Sequence, residues 1–404
     1  MNYTKLAWRN IWRNRKRTLI TISSVFFALF LAILMRGLQL GTYDHMIKNS
    51  VEYFSGYVQI HANGYHDDPI LDNSFFVNDS LKSVILEQDN VAGLLPRLQA
   101  GSLIAAENKS KPAMIMGIDA EKDNELTKLK DKLVEGRFPE RGEPGVVMGE
   151  KLAEFLHLQV GDTAVYIGQG YHGYSAAGLY PVLGIISYPD PRINRQISYM
   201  DLEIAQQYLS LNGGLSAWVV MLEDNDRYKE TTAQIRSIIP EDYEVMHWET
   251  MSPEILQGIE ADNASGMIIL MILYIVIGFG IFGTVLMMIA ERKKEFAIMV
   301  SVGMQKTKLA ILVAIETLFI VFVGILLAIG TSIPVMYLLH LNPLRFSGEI
   351  EAVFETYGME PIMPIAWEPG FFYGQTAVVI IIALLAITYP LLSVFKIDVS
   401  KAIR

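Results

Sequence analysis

MIILMILYIVIGFGIFGTVLMMIAERKKEFAIMVSVG, Met267–Gly303, is the stretch that decides the fold class. Its first part, Met267–Ile289, carries no charge and is long enough to cross the ~30 Å of hydrocarbon that takes about 20 apolar residues. Its second part turns basic within one helical turn and then resumes apolar spacing: Phe296, Met299 and Val300 share one face, and Gly303 stands where a helix would stop. A span followed at once by a short amphipathic helix is a membrane pattern. Working outward, three more runs have the same character: Thr18–Met35 (continuing towards Leu40), Leu309–Leu339 and Phe371–Phe395. We place the spans at 18–40, 265–290, 307–339 and 371–395, with Pro334 expected to kink or end the third.

Composition agrees. Of 404 residues, 51% are hydrophobic and only 19% charged, with a mean hydropathy of +0.30. The net charge of −10 is unevenly spread: residues 37–263 hold 34 acids and 17 bases, while the rest is basic. A strongly acidic polar region disfavours nucleic acid. Cysteine is absent, which removes disulfides, thiolate zinc sites and thiol nucleophiles. The first apolar run is longer than a signal-peptide core, and RGLQLGTY after it offers no small-x-small cleavage site, so it reads as a retained anchor.

Lysine and arginine set the orientation. Residues 1–17 carry six bases and no acid, the loop after the second span carries Arg292, Lys293, Lys294, Lys306 and Lys308, and the tail 396–404 is basic. Loop 340–370 holds five acids and one base. Both termini are expected in the cytoplasm, with 41–262 and 340–370 outside.

Segment 41–262 has the aromatic and β-branched content of a folded domain. Strand-like runs at Tyr57–His61, Ala113–Ile118, Val146–Met148, Ala164–Ile167, Val182–Ile186, Ala217–Leu222 and Tyr243–Met246 alternate with helical stretches at Ser80–Glu87, Gly149–Phe155, Asp201–Leu211 and Asp226–Ile239. The fold class expected is therefore a membrane α-helical unit of four transmembrane helices plus an α+β extracytoplasmic domain. In that domain a membrane-proximal unit (41–119 and 201–262) is interrupted by a β-rich insert (120–200).

Catalytic motifs are missing. Gly168–Gly173 fits G-x-G-x-x-G, yet the residues after it run into Pro181 rather than opening a helix, so it reads as a flexible glycine loop. There is no phosphate-binding G-x-x-x-x-G-K-[ST] and no G-x-S-x-G. His61 and His66 lack metal-ligand spacing, so no metal is expected. Three features stand out instead. Trp8, Arg9, Trp12 and Arg13 belong to an amphipathic, basic segment (1–17) suited to anionic lipid headgroups. Segment 291–306, with Glu291, Arg292, Glu295, Phe296, Met299 and Gly303, is suited to a groove in a cytoplasmic partner, its two acids hinting at the partner's basic groups. Glu316 sits about 12 Å beyond Lys308 inside the third span, where a carboxylate must be paired or face protein.

These stretches resemble the ABC-transporter permeases of the MacB/FtsX/lipoprotein-releasing (LolC/LolE) type along the whole chain. LAWRNIWRNRKRTLIT (Leu6–Thr21), ERKKEFAIMVSVGMQKTKL (Glu291–Leu309), Glu316 and TYPLLSVFKIDVSKAIR (Thr388–Arg404) carry the permease resemblance. GYVQI (Gly56–Ile60), MGIDAEKD (Met116–Asp123), EGR (Glu135–Arg137), VVMGEKLAEFLHLQVGD (Val146–Asp162) and VLGI (Val182–Ile185) are similar to the LolC/LolE branch, as is the PR followed by G-x-L across Pro96–Leu103. The resemblance implies a porter-like outer domain and a non-enzymatic permease in the inner membrane. It also implies two copies of a cytoplasmic ATPase, carrying ATP and Mg, docked on the 291–306 coupling helix, and a second permease, self or paralogue. The outer domain then releases lipoproteins to a periplasmic carrier; MacB-like export and FtsX-like regulation of cell-wall hydrolases are the alternatives. A carrier-binding hook would fall at Gly168–Pro181 through Tyr171, Tyr174, Leu179, Tyr180 and Pro181, a stretch without lysine or arginine.

Overall fold

The structure is a computed structural model that describes residues 13, 15–188, 190–356 and 360–396. Trp8, Arg9, Trp12 and the tail beyond Lys396 lie outside the described residues. The chain divides into a helical unit (Met1–Asp44, Ile259–Leu344, Ile362–Arg404) and an α+β unit (His45–Gly258, Arg345–Pro361).

Among the described residues, four helices are long and apolar enough to cross a membrane: Arg15–Ile47, Pro253–Glu291, Lys306–Leu341 and Pro369–Phe395. The second begins well before the apolar run, because Pro253 is compatible with a first helical turn and the polar residues after it continue the helix. The third runs through Pro334 to Leu341 instead of ending there, as a helix in an apolar bundle can when neighbours satisfy the freed carbonyl. Val25, Leu29 and Ile33 recur every four residues on the first helix and bury against Ile277 and Ile281, Val321 and Ile325, and Val379 and Ala383 of the other three. Gly324 marks a close crossing: a Cβ there would stand 2.8 Å from Val25 Cβ. The outward faces keep large apolar groups, including Phe27, Phe279 and Leu385, exposed.

In the α+β unit the first helix continues as a π-helical segment, Lys48–Ser55, stopped by Gly56 at φ +79°, where a Cβ would meet Val219 Cγ1 at 2.3 Å. Among the described residues, ten strands make up the main sheet: β1 Val58–Ala62, β2 Val91–Ala106, β3 Lys109–Ile118, β4 Leu133–Gly136, β5 Val146–Gly149, β6 Thr163–Gln169, β7 Ser175–Ile186, β8 Ile197–Asp201, β9 Ala217–Leu222 and β10 Tyr243–His247. They form one sheet in the order β10-β1-β9-β2-β3-β8-β5-β7-β4, and β6 pairs with both β2 and β7. That double pairing closes β2, β3, β8, β5, β7 and β6 into a six-stranded barrel, leaving β9, β1 and β10 as an open wing. The β-rich part is thus not a sheet of its own. Its wall includes β2 and β3, which precede residue 120.

Leu98, Ile104, Ile115, Val146, Tyr166 and Met200 fill one core, to which helices α3 (Glu150–Leu156) and α4 (Leu202–Tyr208) add Leu152, Leu156 and Tyr208. Under the wing, Val58, Leu94, Trp218 and Val245 bury Ile85 of α1 (Asp79–Leu86) and Ile235 of α5 (Tyr228–Ile238). Asn78 caps α1 by accepting from the Ser80 and Leu81 amides, and Asp201 caps α4 by accepting from the Glu203 amide. A further helix of this unit, α2 (Ala120–Thr127), is capped by Asp119.

Candidate functional site: an arginine–glutamate lattice around a short helix

Within the helical unit, the second apolar helix ends at Glu291 and a new helix, Lys293–Ser301, starts after a one-residue break at Arg292. It closes on a complete C-terminal motif. Gly303, at φ +102°, donates to Val300 O and Met304 donates to Met299 O, so its last carbonyls are satisfied without a side chain.

Charged side chains fix this helix from three directions. Arg13 Nη2 donates to Glu295 Oε1 at 2.6 Å, Arg17 Nη1 to Glu291 Oε2 at 2.7 Å, and Arg292 Nε to Glu295 Oε2 at 3.1 Å. Arg292 Nη1 reaches Glu316 Oε2 at 2.6 Å inside the bundle, and its guanidinium also covers the Phe296 ring at 4.9 Å. The hydrogen bond from Arg13, supported by Arg292, holds the Glu295 carboxyl below its usual range.

This corrects the sequence reading on two counts. Glu291 and Glu295 meet this chain's own Arg17 and Arg13 rather than waiting for a partner's bases. Phe296 is fully buried and Arg292 nearly so, so neither offers a contact surface; Met299 is half-buried against the bundle core. Glu316 is paired, as its depth requires: Arg292, 24 residues earlier, folds back onto it. The periodicity was legible but its direction was not: the apolar stripe faces the bundle. The open stripe is Lys294, Ile298 and Val302, four residues apart, with Ile298 55% and Val302 83% exposed.

The proposed hook region is a β-hairpin rather than a flexible loop. β6 and β7 pair from Thr163↔Pro181 to Gln169↔Ser175, leaving 170–174 as the turn. Tyr174 (66%) and Leu179 (67%) face outward. Tyr171 and Tyr180 are half-buried, the first edge-on to Phe76, the second edge-on to Tyr166 and Tyr208. Pro181 is half-buried too. Ile167 and Leu103, directly paired across β6 and β2, are exposed on the outward face of the barrel and were missed. The signal for Ile167 was the alternation within Thr163–Gln169, obscured by Gly168. Among the described residues no group of three His, Asp or Glu side chains is placed to hold a metal.

A second missed site anchors the π-helical segment. Arg97, fully buried on β2, makes a two-pronged pair with Asp123 of α2 at 2.9 and 2.7 Å and donates to the Phe54 carbonyl. Lys132 stands over the Tyr53 and Tyr188 rings, and burial pushes its ammonium down to about 8.

Residues 18–238 match the MacB-like periplasmic core domain, and residues 267–399 the FtsX-like permease C-terminal family. The lipoprotein-releasing system transmembrane protein LolC of Xylella fastidiosa (strain Temecula1 / ATCC 700964) is 20% identical over 336 residues, 80% of each chain. LolC of Neisseria meningitidis serogroup B is 21% identical over 253 residues, 59% of this chain and 60% of that protein. Two solved structures are similar at a TM-score of 0.34. The periplasmic region of MacB from Actinobacillus actinomycetemcomitans is 16% identical over 52% of this chain and 95% of its own. The extracellular domain of the noncanonic ABC-type transporter YknZ from Gram-positive bacteria is 14% identical over 48% and 100%.

Proposed function

The chain belongs to the ABC-transporter permeases that join a MacB-like periplasmic core to an FtsX-like permease region, and from that premise we propose that it releases lipoproteins from the inner membrane by transmitting the work of separate ATPase subunits. Permeases of this family work with an ATPase subunit. In the proposed arrangement two such subunits, holding ATP and Mg, grip one coupling helix on each of two permeases, this chain and a copy or paralogue. Both termini then lie in the cytoplasm and the α+β unit in the periplasm, as the basic loops favour.

The observation that carries the reading is the short helix Lys293–Ser301. It is locked to the first and third apolar helices by Arg13, Arg17 and Arg292 while Lys294, Ile298 and Val302 stay open. A helix so braced passes a push to the bundle instead of absorbing it. Lipoprotein cargo is supported by the LolC relatives. The carrier contact is assigned to the outward hairpin residues Tyr174, Leu179 and Ile167. The test is Ile298→Glu with Val302→Glu in the full chain, reconstituted with its ATPase. Stimulated ATP turnover is expected to fall at least tenfold with insertion unchanged, and normal turnover refutes the dock.

A further inference from the structure

A long groove runs between the third and fourth apolar helices, with a volume of 880 Å³. Leu318, Phe322, Leu326 and Ile380 are among its walls. From Pro369 to Ala383 the fourth helix rises about 21 Å, more than half of a ~30 Å hydrocarbon layer. Polar groups occur near one end. Trp367 stands at the mouth, its ring set by edge-on contacts with Tyr337 and Phe372 at 5.4 and 6.0 Å, and Tyr373 lies close by in sequence, an aromatic pair suited to a headgroup boundary. Glu368 is the one charged residue lining the groove, and it is exposed at that mouth. About 12 Å further in, Thr376 Oγ1 is shielded from solvent and has no hydrogen-bond partner among the described residues.

We infer that this groove is a specific site for one acyl chain of an amine-headgroup phospholipid. Apolar walls on membrane-crossing helices select hydrocarbon over water. The Glu368 carboxylate at the mouth complements an ammonium and repels an anionic headgroup. An acyl chain on an amide-capped protein N-terminus would leave Glu368 unused, so the phospholipid is the occupant that accounts for the charge at the mouth. The leaflet assignment, with the mouth in the outer half, rests on the proposed orientation.

The test places full-length protein in nanodiscs containing phosphatidylethanolamine with a photoactivatable acyl chain, and maps the labelled residues. Labelling at Phe322, Leu326 and Ile380 is expected to saturate at low probe fraction, while labelling at Phe279, on the outward face of the second helix, rises in proportion to it. Glu368→Gln should cut groove labelling about fivefold, with Phe279 labelling and thermal stability unchanged. Unlabelled phosphatidylethanolamine should compete and phosphatidylglycerol should not. Proportional labelling at all four residues, indifference to Glu368→Gln, or displacement by a lipid-modified peptide overturns the assignment. No ATPase partner is needed, so failure of the coupling test does not affect the result.

Discussion

Arg292 Nη1 lies 2.6 Å from Glu316 Oε2, and the two side chains are only 9% and 2% exposed. A buried pair gains little over well-packed apolar groups, but breaking one leaves an uncompensated charge that costs about 3–5 kcal/mol. Glu316→Ala should therefore lower unfolding free energy in detergent by about that amount. Arg292→Met combined with Glu316→Leu should recover most of it. Equal losses in the single and double variants would show that the pair acts through something other than charge.

The short helix separates stability from docking. Phe296→Ala empties a buried site and should cost about 3–5 kcal/mol. Ile298→Ala removes an exposed side chain and should stay within about 0.5 kcal/mol while reducing ATPase stimulation. Thermal unfolding and ATP turnover, measured on the same preparations, check the contrast.

Orientation can be tested without background, since the chain has no cysteine. A cysteine at exposed position 172 should react with impermeant maleimide in intact spheroplasts, and one at exposed position 298 only after lysis. The opposite labelling reverses the topology.

Lys132 gives the α+β unit a pH signature. Its ammonium is held down at about 8 by burial, against about 10.5 for the unfolded chain. Between those values the unfolded chain binds more protons than the native one, so stability rises as pH increases from about 8 to 10.5; below 8 both forms are charged. The urea midpoint, followed by pulse proteolysis of this unit, should climb through that window in the native protein. The climb should be absent in Lys132→Met.

The hairpin calls for point substitutions. Deleting 171–178 would remove Ala176, which is buried in the barrel. Tyr174→Ala with Leu179→Ala trims only outward side chains and should slow lipoprotein delivery to a soluble carrier by about tenfold with ATPase activity intact. Delivery at the normal rate would place the carrier elsewhere.

How far the sequence could be read depended on how local each signal was. Strand Ala217–Leu222 and the Asp201 cap were legible because alternation and capping are set by neighbours in the chain. Strand β2 was not, since Gly93, Pro96 and Gly101 interrupt its pattern and its pairing with β9, β3 and β6 sustains it instead. The spans were visible from hydropathy, yet helix Pro253–Glu291 extends past its apolar run because helices need not end where lipid does. Arg292 and Glu316 were both singled out, but nothing in their spacing announced that a break at Arg292 turns one onto the other.

Barrel closure has a cost in time. Leu103 pairs with Ile167 and Met114 with Ile197, separations of roughly 60 and 80 residues, and partners so distant find each other slowly. At about 5–20 residues per second of synthesis, Met114 waits on the order of 4–16 s for Ile197 to be made. During that interval β2 and β3 present unpaired edges that another nascent chain can capture. Lowering the temperature during those seconds of synthesis is therefore expected to raise expression yield even where the stability of the finished domain is unchanged.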